Sequence, residues 1–167
     1  MTTTFSPIGH ICTPFQSIKG MPIQPSGAID VEGSVQIDAA YAEGLMDLEH
    51  FSHIYLIYVF HQSKGYQLQV QPFLDQASHG VFATRAPRRP NPIGLSIVQL
   101  LNRDGNTLRV KGVDMLDGTP LLDIKPYVPA FDVFQVSAVG WLENVQKGVR
   151  SQKSDRRFET SHPRTMR

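Results

Sequence analysis

The chain has 167 residues, enough for one domain to bury a core without metal or disulfide staples. Its single cysteine, Cys12, excludes an internal disulfide and any cysteine-cluster metal site, and its apolar setting marks a packed residue rather than a nucleophile. The net charge of +1 is unevenly spread: residues 1–145 carry nine basic and thirteen acidic side chains, and 146–167 carry seven basic and two acidic. The body is therefore no general nucleic-acid binder. The expectation is a folded domain over 1–145 and a basic, flexible extension over 146–167 able to meet phosphates. Met1 to Ser6 lacks the apolar core of a signal peptide, and no apolar run approaches the ~20 residues that span a bilayer. A cytoplasmic protein with no membrane partner is expected.

In chain order, Pro7 to Cys12 reads as a short extended segment, and Ser34 to Ile37 alternates polar with apolar residues. Asp38 is placed to cap one short helix over about 39–49, with Tyr41, Leu45 and Leu48 on one face. Gly44 weakens that helix by about 1 kcal/mol relative to alanine. His53 to Phe60 is an unbroken β-branched and aromatic run, too short for a typical helix and read as a strand buried on both faces. Gly80 to Thr84 and Leu95 to Leu101 are expected strands on either side of a proline-rich loop. Asp104-Gly105-Asn106 is a hairpin signal, and Thr107 to Val113 alternates cleanly after it. Leu121 to Ile124 and Val133 to Leu142 complete the expected strands. Many short strands with one helix predict a mainly β, single-domain, closed or nearly closed barrel.

The loop between those two strands is the most unusual segment. Pro87, Pro90 and Pro92 fix their own φ and push the preceding residues away from the helical region. Arg85, Arg88 and Arg89 are mounted on this stiff backbone, where ordering costs less entropy on binding. A recognition loop and a solvated connector are both compatible with composition alone. Three further segments place polar groups at strand ends: Gln24-Pro25-Ser26-Gly27, His61-Gln62, and Asp117-Gly118-Thr119-Pro120. His10, His50, His53 and His79 have no partner at metal-ligand spacing, so no metal is expected. No Gly-x-Gly-x-x-Gly follows a strand, which excludes the usual Rossmann nucleotide site.

Taken in order, Gln24-Pro25, Gly27, Phe51-Ser52-His53, His61-Gln62, Gly80 to Ser96 and Asp117 to Tyr127 form a series that resembles the TsaA-like (TrmO-type) family of barrel-fold tRNA methyltransferases. The resemblance covers about residues 7–130. It implies a homodimer that uses S-adenosyl-L-methionine to methylate N6 of a threonylcarbamoyl-modified adenosine beside the anticodon of certain tRNAs. By the same resemblance, the donor is held by Gln24, Pro25, Ser26, His61, Gln62, Arg85, Leu95, Asp117, Gly118, Thr119 and Pro120. His61 and Asp117 are candidates for helping the substrate nitrogen lose its proton. Arg88 and Arg89, just beyond Arg85, are candidates for tRNA phosphates. Two alternatives remain at this point: a donor-binding module without RNA methylation, and a methyltransferase for another RNA or a small metabolite.

Overall fold

Alternation along the strands decides which side chains face inward. In the computed structural model, which describes residues 3–19, 21 and 27–144, six strands close into a barrel. They are β1 (Gly9–Cys12), β2 (Glu32–Ile37), β3 (His53–Val59), β6 (Ile93–Asp104), β7 (Thr107–Lys111) and β8 (Thr119–Pro126). Two short strands, β4 (Gln69–Val70) and β5 (His79–Gly80), pair separately. The barrel order is β1-β2-β7-β6-β3-β8, and β8 returns to pair with β1; every pairing is antiparallel.

Each barrel strand contributes inward apolar residues to one core: Ile11, Val35, Ile54 and Leu56, Val98, Leu108 and Val110, and Leu121 are all at most 1% exposed. Burying each such side chain is worth about 1.5–3 kcal/mol. The β6–β7 hairpin turns at Gly105, whose φ of +58° lies in the left-handed region the turn requires.

Four expectations change. The 39–49 segment is helical, but as two 3₁₀ stretches, Ala39–Leu45 and Leu48–His50. Asp38 makes no side-chain capping bond, and Asp47 interrupts the run with a φ of +65°. β3 is fully buried only on its inward face, with Tyr55, Ile57 and Val59 partly covered on the other. Gly80 to Thr84 is not a strand: β5 ends at Gly80 and Val81–Ala83 forms a 3₁₀ turn.

Val133 to Leu142 is not a strand either. A four-residue α-helix, Pro129–Asp132, precedes it, and Gly140–Asn144 is a 3₁₀ turn. The closed barrel leaves no unpaired edge for a seventh strand to join. The basic extension over 146–167 lies outside the described residues.

Candidate active site

Antiparallel pairing makes the ends of the barrel unequal. β3 leaves at the same rim where β6 and β8 start, where β1 and β7 end and where β2 begins. The connections 13–31, 60–92 and 112–118 therefore meet at one rim, and almost every candidate residue lies on them. Gln24, Pro25 and Ser26 belong to the first connection but lie outside the described residues. His61 and Gln62 follow β3 and are exposed. Thr119, at the start of β8, is 2% exposed; its Oγ1 donates to the Leu116 carbonyl at 2.7 Å and lies 3.4 Å from His61 Nδ1. Gly118 is exposed with a φ of +71°, and Pro120 stands opposite His10 across the β1–β8 pair.

Asp117 is built into the rim. Its Oδ1 accepts the Thr13 backbone N–H at 2.9 Å, and its Oδ2 accepts from Gln16 Nε2 at 3.1 Å. These bonds, the Thr13 N–H foremost, hold its carboxyl below the usual carboxylate range. An ionised anchor results, the opposite of the raised proton affinity a general base needs near neutral pH.

The three arginines of the proline loop separate. Arg85 is exposed at the rim. Arg88 is only 7% exposed, and Arg89 turns inward: its Nη1 donates to the carbonyls of Val81 at 3.0 Å, Thr84 at 2.8 Å and Ala86 at 3.5 Å. Its guanidinium also stands 5.8 Å from the centre of the Phe82 ring. Arg89 thus braces the loop's own carbonyls, and the low exposure of Arg88 keeps it from being an open cation. Leu95 points outward from β6 and is 52% exposed, with Ile93 (39%) and Ile97 (37%) on the same face. Beyond the loop, Trp141 stacks on His79 with ring centres 4.6 Å apart, and its Nε1 donates to the Ala83 carbonyl at 2.9 Å.

One polar network has no counterpart among the sequence candidates. Tyr58 on β3 and Ser96 on β6 both face inward, and their hydroxyl oxygens lie 3.0 Å apart. Ser96 Oγ donates to Asp114 Oδ1 at 2.7 Å. Burial pushes the Asp114 carboxyl up to about 6, and with the nearby Asp114 charge it pushes the Tyr58 hydroxyl further up as well. The available signal was parity: Tyr58 and Ser96 are polar residues at inward positions of otherwise apolar alternating strands. Among the described residues no cluster of three or more His, Cys, Asp or Glu could hold a metal ion.

Comparison with known proteins adds four findings. Residues 10–133 match the model of the tRNA-methyltransferase O N-terminal domain. A probable S-adenosyl-L-methionine-binding protein of Pyrococcus abyssi is 54% identical over 154 residues, covering 92% of this chain and 84% of that protein. A tRNA (adenine(37)-N6)-methyltransferase of Mus musculus is 41% identical over 133 residues, covering 75% of this chain but 31% of that protein. Among solved structures, TrmO from Pseudomonas aeruginosa superposes with a TM-score of 0.70 at 40% identity, covering 84% of this chain and 63% of that one. The chain thus spans most of the archaeal relative, under two thirds of the solved bacterial chain and about a third of the mammalian protein.

Proposed function

Because the chain belongs to the tRNA-methyltransferase O N-terminal domain family, we propose that it transfers a methyl group from S-adenosyl-L-methionine to N6 of threonylcarbamoyl-modified adenosine next to the anticodon. The observation that carries this reading is the meeting of His61, Gln62, Arg85 and Asp117–Pro120 at one barrel rim, beside the strand that bears Leu95. The side chains suit the donor's chemistry. Exposed Arg85 can pair with the amino-acid carboxylate, and ionised Asp117 favours a sulfonium cation nearby. Gly118, which has no side chain, lets the backbone come close to a ligand.

The bound donor supplies an electrophilic methyl group on sulfur. The protein's part is to hold the nucleophilic nitrogen in line with it and to exclude misaligned approaches. Gln24, Pro25 and Ser26, on the connection that starts and ends at this rim, complete the proposed donor pocket. A second copy is part of the proposal: Leu95 faces away from the barrel interior among Ile93, Ile97 and Leu101. A homodimer packed on that apolar strip would cover it and bring Leu95 into an enclosed site.

The test is nucleoside mass analysis of tRNA incubated with this chain and the donor. Methylated threonylcarbamoyladenosine is the expected product. Donor retained without any product would identify a binding module instead, and product on a different RNA or on a small metabolite would redirect the substrate.

A further inference from the structure

We propose that Asp114 is the base that takes the proton from the substrate nitrogen, an inference that rests on the methyl-transfer reading above. Ser96 has one hydroxyl hydrogen and gives it to Asp114 Oδ1 at 2.7 Å. Tyr58 must then donate its own hydrogen to Ser96 Oγ across 3.0 Å. Tyr58 is 4% exposed and Ser96 2%, so the chain Tyr58 to Ser96 to Asp114 runs in one direction through a dry interior and ends on a carboxylate. Asp114 itself is only partly buried, at the surface end of that chain.

Position supports the role. Asp114 lies three residues before Asp117 on the 112–118 connection, Ser96 follows Leu95, and Tyr58 precedes His61 by three. Each member of the chain is therefore attached to a segment of the proposed donor site. Among the described residues, the charged and titratable groups that bear on Asp114 are Tyr58 from β3 and Arg85 from the 60–92 connection. Asp117, the other carboxylate on the 112–118 connection, has both oxygens in hydrogen bonds. Asp114 Oδ1 accepts from Ser96, its carboxylate also takes a backbone N–H, and Oδ2 is the oxygen the proposal assigns to the incoming proton. Burial gives it a proton affinity near the working range of a base at neutral pH.

The N6–H bond breaks and its proton passes to Asp114 Oδ2. The nitrogen's electron pair forms the bond to the methyl carbon, and the carbon–sulfur pair leaves with sulfur as a neutral thioether. Asp114 then returns the proton to water.

The experiment compares full-length wild type with Asp114→Asn and Ser96→Ala, each checked for native circular dichroism, on tRNA carrying threonylcarbamoyladenosine. Single-turnover methylation is read against pH, and donor affinity is read separately by calorimetry. Asp114→Asn is expected to lower the rate about 100-fold or more with donor affinity within about threefold of wild type. Ser96→Ala removes a bond that favours the charged carboxylate, so the acid limb of its rate profile moves to higher pH. A wild-type rate in Asp114→Asn, a loss of donor affinity matching the loss of rate, or an unmoved acid limb in Ser96→Ala overturns the assignment. Wild type that binds donor yet forms no methylated nucleoside overturns the methyl-transfer reading, and the base with it.

Discussion

Asp117 and Thr13 are joined across 104 residues by a 2.9 Å hydrogen bond from the Thr13 backbone N–H to the Asp117 carboxylate. The bond links the segment leaving β1 to the turn that begins β8, and it holds the Asp117 carboxyl below the ordinary range. A depressed carboxyl stabilises the fold fully above its unfolded pKa, and that stability is lost as pH falls through the lower folded value. Asp117→Asn should therefore unfold at lower urea than wild type at neutral pH, with the two midpoints converging as the solution is acidified below 3.8. Midpoint curves that stay parallel into acid would show that the carboxylate's charge contributes nothing.

Asp114 has the opposite sign. Its carboxyl is raised from 3.8 to about 6, so the folded state holds the proton more tightly than the unfolded chain. Stability from this group is present below 3.8 and is lost as pH rises through about 6. Asp114→Asn cannot titrate, so the wild-type loss of stability across that window should be absent from the variant. Equal slopes in urea titrations of both proteins would place the folded pKa back at its ordinary value.

Gly94 leaves no room for a side chain. A Cβ there would overlap the Tyr58 ring, the ring whose hydroxyl begins the chain to Asp114. Gly94→Ala should cost about 1–3 kcal/mol by overpacking. The displaced ring should also disturb the Ser96 bond. Chemical denaturation measures the first effect, and a shifted acid limb of methylation measures the second.

The barrel was legible because its strands carry period-two alternation over long stretches, as in Leu95 to Leu101 and Thr107 to Lys111. The same pattern misled at Val133 to Leu142. Val133, Phe134 and Val136 are 62–76% exposed, so their apolar character records no burial within this chain. At the site, sequence offers Arg88 and Arg89 to tRNA phosphates because it gives spacing but not which way a guanidinium turns. Asp114 was invisible for a different reason: Tyr58 and Ser96 are 38 residues apart, and Ser96 and Asp114 are 18 apart. Only the β3–β6 pairing and the rim connection bring them together.

That division among the arginines predicts different phenotypes. Arg85→Ala should weaken donor binding roughly 10- to 100-fold, the loss of a charge-assisted hydrogen bond, with little change in stability. Arg89→Ala removes the Nη1 bonds to Val81, Thr84 and Ala86 and should destabilise the fold by about 1–2 kcal/mol after allowance for partial exposure. Calorimetry with the donor and urea denaturation separate the two. Unchanged donor affinity in Arg85→Ala would remove it from the pocket, and an unaltered midpoint in Arg89→Ala would show that its carbonyl bonds carry no net stability.

Trp141 offers a direct view of the same loop, because it is the sole tryptophan in the chain. Its indole stacks on His79, which is paired to Asp75 at 2.8 Å, and its N–H donates to the Ala83 carbonyl two residues before Arg85. The stack and the hydrogen bond together are worth about 1–2 kcal/mol, so Trp141→Ala should lower the urea midpoint. Trp141→Phe keeps a ring for His79 but loses the donor, and should fall between the two. Movement of the 81–89 loop on donor binding would reach the indole through Ala83. Donor titration is therefore expected to change Trp141 emission in wild type and to leave it unchanged in Arg85→Ala at the same concentrations. Emission that ignores the donor in wild type, while calorimetry reports binding, would mean the loop is already set in its bound shape.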